Sequence, residues 1–271
     1  MKNAVRASLF SLVFLWGSSF AQTVRGAYDL TWQRDIPLAV GSVGSFAFGQ
    51  WRIMNMDAYD GRYDKNDLMP WDRPFAGRWN AKADLASDIL TGAGAFPLVL
   101  SVSDWSRGRL GGSDVAVQLA MLSEVLALQS GINLAVRSLA VWPRPFLLGS
   151  KGGTERNSKD ASGSFYSGHS SAAFSIAVFS SCWYDRTHPG SRYSPWIWGG
   201  SLAVAATTAS LRVIAGKHYP SDILVGALVG SLVGWAVPRM HQAQPAIQPP
   251  LSQAQMTMAP LPGGAMFQIV F

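Results

Sequence analysis

Cysteine is almost missing from this sequence of 271 residues. Cys182 stands alone, so no internal disulfide can form and no thiolate metal cluster can be assembled. Its neighbours Phe179, Trp183 and Tyr184 mark it as a small apolar packing residue. Dense blocks of one charge are missing too. The 22 Lys and Arg exceed the 16 Asp and Glu, a formal net charge of +6, yet no basic run of five to eight residues occurs. Zinc-finger and RNA-binding motifs are absent as well. Together these absences argue against a nucleic-acid partner, and leave an anionic membrane surface or an anionic substrate as the reason for the basic balance. No tandem repeat of fixed period is found. The mean hydropathy, +0.14, is low for a chain made only of full membrane spans.

What is present is a set of apolar segments at about helical length. The first residues read as an export signal: Lys2 and Arg6, a short apolar stretch from Leu9 to Trp16, and the small-x-small site Ser19-Phe20-Ala21 before Gln22. An uncleaved helical anchor is the other reading of that stretch. Six further segments follow at roughly 36–51, 85–103, 113–136, 168–184, 196–214 and 222–238. Each approaches the ~20 residues a helix needs to cross a bilayer. Trp51, Trp105, Trp142, Trp183, Trp196, Trp198 and Trp235 cluster at their ends, where an amphipathic ring prefers the membrane interface. Gly226, Gly230 and Gly234 form a small-residue ladder suited to close helix contact. The expected architecture is all-α, a bundle of about six apolar helices that span a membrane. A soluble exported helical domain with buried core helices is the competing arrangement. The chain divides into a signal over 1–21, an N-terminal segment over 22–84 containing the first helix and a polar loop, a helical core over 85–238, and a Pro- and Gln-rich tail over 239–271. The end of that tail, Met266 to Phe271, has a strand-like pattern.

Three short blocks carry chemistry. In the first, Arg137 and Arg144 close the third segment and start the following loop. An arginine fork can hold two phosphate oxygens at once, though interface anchoring explains the same pair. In the second, Ser167-Gly168-His169 precedes a long apolar helix. Ser167 suits an N-cap, Gly168 permits close backbone approach, and a helix start with free N–H groups favours an anion beside His169. A plain capped helix with an exposed histidine is the alternative. The third block runs Leu211-Arg212 to His218-Tyr219-Pro220-Ser221-Asp222. Pro220 favours a first helical position, which sets His218 just before a helix and Asp222 in its first turn. A carboxylate on one ring nitrogen fixes the tautomer and frees the other as a nucleophile. Lys217 reads either as added charge or as a solvated lysine. Glu124, within the third segment, reads as a buried partner for a basic residue, and His188 and His241 as isolated histidines without a role. No Asp, Glu and His cluster with metal-ligand spacing is visible.

Together the blocks resemble the type-2 phosphatidic acid phosphatase superfamily, which includes lipid phosphate phosphatases, bacterial class A acid phosphatases and vanadium haloperoxidases. The family pattern is Lys-x6-Arg-Pro, Pro-Ser-Gly-His and Ser-Arg-x5-His-x3-Asp. This chain has Arg137-x6-Arg144-Pro145, Tyr166-Ser167-Gly168-His169 and Leu211-Arg212-x5-His218-x3-Asp222. Order and spacings agree across roughly residues 85–238. Arg137 stands for Lys, Tyr166 for Pro and Leu211 for Ser, which bears on substrate range and rate.

The resemblance implies a phosphatase acting on a lipid phosphate monoester or isoprenoid pyrophosphate. His218 would attack phosphorus to give a phosphohistidine, Asp222 would orient it, and His169 would protonate the leaving alcohol. Arg137, Arg144 and Arg212, with the backbone of Ser167 and Gly168, would hold the phosphoryl oxygens. No metal or other cofactor is implied. The implied partners are a phospholipid or isoprenoid phosphate and membrane lipid. Spans would place all three blocks at one membrane face, expected to be the periplasmic side of an inner membrane. That placement conflicts with a cleaved signal followed by six full spans, because such a chain would turn the blocks inward. A soluble exported acid phosphatase and a catalytically dead envelope lipid-binding protein are the alternatives.

Overall fold

The computed structural model describes residues 26–57, 59, 61, 63–93, 96–243, 255–261 and 264–270. The stretch read as an export signal lies outside them, as do residues 244–254, 262–263 and 271 of the tail. The described helices are α1 (Trp32–Met54), α2 (Ala81–Ala93), α3 (Phe96–Ser106), α4 (Gly112–Arg137), α5 (Gly168–Thr187), α6 (Ser194–Ile214) and α7 (Pro220–Met240). An antiparallel hairpin, β1 (Gln255–Leu261) and β2 (Gly264–Val270), follows. The helical fold expected from the apolar segments is present, with the strand-like tail adding the hairpin.

Segment 85–103, expected as one helix, is helical over Ala81–Ala93 (α2) and Phe96–Ser106 (α3); residues 94 and 95 between them lie outside the described residues.

The order of contacts gives six passes among the described residues. α1 and α4 run parallel, since Gly131 meets Ser42 and Gly49 meets Leu134. α2 starts beside the end of α6, where the Asn80 N–H donates to the Ala215 carbonyl. α3 ends beside the end of α5, where Asp104 pairs with His188 at 3.0 Å. The ends of α1, α4 and α6 therefore meet the starts of α2, α5 and α7 at one end of the bundle.

The glycine ladder explains how α5 and α7 lie side by side. A Cβ on Gly226, Gly230 or Gly234 would stand 2.6, 2.1 or 2.4 Å from the carbonyl oxygens of Ser167, Ser171 or Ser175. Every fourth residue of α7 thus presents bare backbone to α5. Beside this seam, Met121, Val125, Phe179 and Val237 form the centre of an apolar core with Tyr28 stacked on Trp183. The outside of α7 is also apolar: Leu224, Leu228, Leu232 and Trp235 are about half exposed or more. A contiguous apolar stripe of this kind is costly in water and suits lipid. Helices α4, α6 and α7 are each long and apolar enough to cross a membrane.

At the other end of the bundle sits a charged cluster that sequence reading missed. His241 is fully buried; its Nδ1 donates to the Val237 carbonyl at 2.8 Å. Its Nε2 lies 2.9 Å from Glu124 and 3.2 Å from Asp35, both buried. Arg34 binds Asp35 at 2.8 Å and also the Met240 carbonyl. Glu124 is thus the buried partner of a basic group, as expected, but His241 is not isolated. Nor is His188, paired with Asp104. Chain separation hid both pairs. Burial pushes the His241 pKa down, but its hydrogen bonds to Asp35 and Glu124 outweigh that and hold it up at about 9.

Two predictions follow from these contacts. Gly230→Val should destabilise the purified protein by about 1–3 kcal/mol or prevent folding, because the new atoms meet backbone. Gly199→Ala, in α6 where a Cβ has open space, should keep the melting temperature or raise it slightly through helix propensity. The His241 cluster sets a pH dependence. Its folded-state pKa, about 9, lies above the ordinary 6.5, so the stabilisation is complete below pH 6.5 and is lost as pH rises through 9. Melting temperature should fall across that window, and His241→Asn should remove this fall.

Candidate active site

The turn between α6 and α7 builds the centre of the site. Arg212 lies in the last turn of α6. Gly216 then takes φ +73°, a left-handed conformation that L side chains avoid, and a Cβ there would meet the Arg78 carbonyl oxygen at 1.9 Å. The N–H groups of Lys217 and His218 both return to the Arg212 carbonyl, at 3.1 and 3.3 Å. Pro220 opens α7, as its fixed φ favours, and Asp222 in that first turn accepts from the Tyr219 N–H at 2.9 Å. The loop 52–84 reinforces this start: buried Asp72 accepts from both the N–H and the hydroxyl of Ser221, at 3.1 and 2.6 Å.

The second block is held against the first. Ser167 caps α5 by accepting from the Ser170 N–H at 3.3 Å, and its own N–H donates to the Asp222 carbonyl at 3.1 Å. Gly168 is required by space: a Cβ would stand 2.7 Å from Asn133 Oδ1. Asn133 in turn donates to the Tyr166 carbonyl at 2.7 Å, so α4 fixes the approach to α5. Loop 144–148 is fastened to the α6–α7 turn by the Phe146 N–H to the Gly216 carbonyl, 3.1 Å.

His218 is almost wholly buried. Its Nδ1 lies 2.9 Å from the Ser164 carbonyl oxygen, which only accepts, so Nδ1 carries the hydrogen and Nε2 is left with its lone pair. Asp222 was expected to be the direct partner of this ring, yet its Oδ2 lies 3.5 Å away. The carboxylate is engaged more closely by the Ser164 hydroxyl at 2.6 Å, by Tyr219, and by Trp142 Nε1 at 3.1 Å. Ser164 thus touches both groups, a link that sequence spacing alone does not reveal. Burial first, and then the positive charges of Arg144, Arg212 and Arg137, hold the His218 pKa well below its ordinary value. The ring is neutral at neutral pH.

The remaining expected residues converge here. Arg137 and Arg144 both bind Asp160, the latter at 2.6 Å. Arg212 binds Asp84 at 2.6 Å, the Ser87 hydroxyl at 2.9 Å and Asp88 at 3.3 Å. His169 pairs through Nε2 with Asp88 at 2.9 Å. Lys217, one of whose readings was a solvated lysine, is buried instead; it pairs with Glu155 at 2.8 Å and Asp84 at 3.2 Å and lies over the Trp79 ring. The four carboxylates and Ser87 come from α2 and from loop turns distant in sequence, and only their Asp or Glu identity hinted at a role.

These carboxylates leave the cation set unsatisfied. The Nε atoms of Arg137, Arg144 and Arg212 are buried and have no hydrogen-bond partner. A buried donor without an acceptor costs about 1–3 kcal/mol. Burial, then the charges of Arg137 and Arg212, push the Arg144 pKa well below its ordinary value. An anion with several oxygens would relieve both penalties. The arrangement is therefore suited to a tetrahedral oxyanion beside a neutral imidazole with a free lone pair.

Comparison with known proteins agrees with this picture. Residues 118–246 match the family model described as the PAP2 superfamily. A protein described as lipid A 1-phosphatase, from Porphyromonas gingivalis, is 40% identical over 74 residues, which are 27% of this chain and 15% of that protein. The chain thus spans only a small part of that relative. A solved structure described as the first transmembrane PAP2 type phosphatidylglycerolphosphate phosphatase, from Bacillus subtilis, is similar over 76% of this chain and 91% of its own, with 17% identity and a TM-score of 0.43.

Inorganic phosphate should raise the melting temperature of the purified protein if the buried arginines form an anion site. The shift should be lost in Arg144→Ala and kept in Arg107→Ala, an exposed cation far along the bundle.

Proposed function

Residues 118–246 of this chain belong to the PAP2 superfamily, and from that premise we propose that the protein removes a terminal phosphoryl group from a lipid phosphate monoester or isoprenoid pyrophosphate through a phosphohistidine intermediate. The observation that carries the reading is the meeting of a neutral, buried His218 with three arginines whose Nε–H groups lack acceptors. His218 Nε2 donates its lone pair to phosphorus as the bond from phosphorus to the leaving oxygen breaks. His169 gives that oxygen a proton. Water then attacks phosphorus, breaks the P–N bond, and inorganic phosphate departs. Arg137, Arg144 and Arg212 stabilise the charge gathering on the equatorial oxygens, usually the largest catalytic contribution. Asp222, acting with Ser164, keeps the His218 tautomer in place and balances the charge that the ring gains.

A lipid substrate is favoured by the apolar exterior of α7, which would bring the site to a bilayer surface. The lipid A 1-phosphatase relative supports the same class of substrate. The departures at Arg137, Tyr166 and Leu211 do not remove a bond-making group: Arg137 keeps its charge, and the Tyr166 backbone carbonyl holds Asn133. We place the site on the periplasmic face of an inner membrane. With all six passes crossing, that orientation keeps residues 26–31 and Gln242 on the cytoplasmic side, so it is incompatible with cleavage after Ala21 that exports residue 22.

The test is phosphate release by detergent-purified protein from phosphatidate, phosphatidylglycerol phosphate, an isoprenoid pyrophosphate and lipid A. Release from at least one, lost in His218→Ala, is expected; Arg212→Ala should cost roughly 10²–10³ in rate. His169→Ala should slow the lipids far more than an aryl phosphate, whose leaving group needs no proton. Absence of release from every lipid by folded protein would favour a lipid-binding role instead.

A further inference from the structure

We propose that Asp160 is a built-in competitor for the arginine pair, a carboxylate that raises the affinity a ligand must reach, so that weakly held phosphodiesters stay out while the dianionic end of a monoester or pyrophosphate displaces it. The inference rests on the phosphatase reading above. Asp160 offers one carboxylate oxygen to Arg137 Nη2 and the other to Arg144 Nη2. Two adjacent oxygens of a phosphoryl group would be held by the same two donors. The acid and the substrate therefore compete for one pair of guanidinium groups.

Burial decides which side gives way. The Arg137 and Arg144 side chains are 12% and 8% exposed, whereas that of Asp160 is 38% exposed on the short turn Lys159–Ser162. Asp160 can rotate into water; the arginines have no such exit. The other acids are placed differently. Asp84 and Asp88 approach Arg212 from α2, and Glu155 faces Lys217, so none of them bridges the Arg137–Arg144 pair.

Charge and oxygen count decide which ligand wins. A phosphodiester carries one negative charge on two free oxygens, which is what Asp160 already supplies. Exchange brings no electrostatic gain and adds two ester groups to accommodate. A monoester near neutral pH carries ~1.5–2 negative charges on three oxygens. The added charge strengthens attraction to every cation in the site, and the third oxygen offers an acceptor to the unpartnered Nε–H groups. At a bilayer surface, where phosphodiester lipids crowd the entrance, such a competitor keeps the site free of nonsubstrates.

The experiment uses the full chain in detergent with three probes: a lipid phosphomonoester as substrate, short-chain phosphatidylglycerol as a diester inhibitor, and inorganic phosphate read by thermal shift. In Asp160→Asn, inhibition by the diester should strengthen about tenfold and KM for the monoester should fall by a similar factor, because both displace the same carboxylate. Asp160→Glu, which keeps the charge, should leave both close to the wild-type values. Unchanged diester inhibition in Asp160→Asn would overturn the proposal. So would weaker binding of all three probes, which is the signature of a residue that merely positions the arginines. Asp160→Ala gives a second neutral variant should the amide fail to fold. If the wild-type protein releases no phosphate at all, the phosphatase reading fails, while thermal shifts with phosphate and diester still report on Asp160 by themselves.

Discussion

Crowded positive charge is the constraint around which this molecule is organised. Arg137, Arg144 and Arg212 crowd one end of the bundle beside the buried Lys217, around the neutral His218. Like charges in a poorly solvated space repel one another, so the fold has to hold them in place from outside. Four carboxylates do part of that work, Asp84, Asp88, Glu155 and Asp160, and they stop short of completing it, because three guanidinium Nε–H groups remain without acceptors. A site fully neutralised by its own acids would have little affinity for a phosphoryl group. A site without them would be hard to fold. The partial balance is what joins stability to function here.

The helical scaffold answers the same constraint. Each cation comes from a helix end or from a loop pinned to one, where backbone hydrogen bonds and caps fix its position. The Gly216 turn, the Ser167 cap and the Asp72 cap on Ser221 are all local devices of this type. The glycine ladder of α7 carries that order along the bundle by bringing its backbone against α5. At the far end, a second set of buried charges, Arg34, Asp35, Glu124 and His241, joins α1, α4 and the end of α7.

The arrangement around His218 shows how a histidine tautomer can be set by backbone as much as by a carboxylate. The Ser164 carbonyl is nearer to the ring than Asp222 is, and the Ser164 hydroxyl ties that carboxylate down. One residue therefore links both groups, and the position of the loop 147–165 becomes part of the chemistry rather than a covering for it.

What the sequence determined by itself was local or periodic. Pro220 and Asp222 set the start of α7, Ser167 the start of α5, and the spacing of glycines the α5–α7 seam, because caps, fixed φ angles and helical repeats act over a few residues. The eight residues expected to act on phosphate were visible for the same reason: they fall in three compact blocks with family spacing. Tertiary structure alone decided the rest. Asp84, Asp88, Glu155 and Asp160 are ordinary surface acids until folding sets them against buried arginines, and His241 is an isolated histidine until α1 and α4 bring Asp35 and Glu124 to it. Long-range ion pairs leave no periodic trace in a chain, since a charge's partner is chosen by three-dimensional proximity and by the cost of burying it alone.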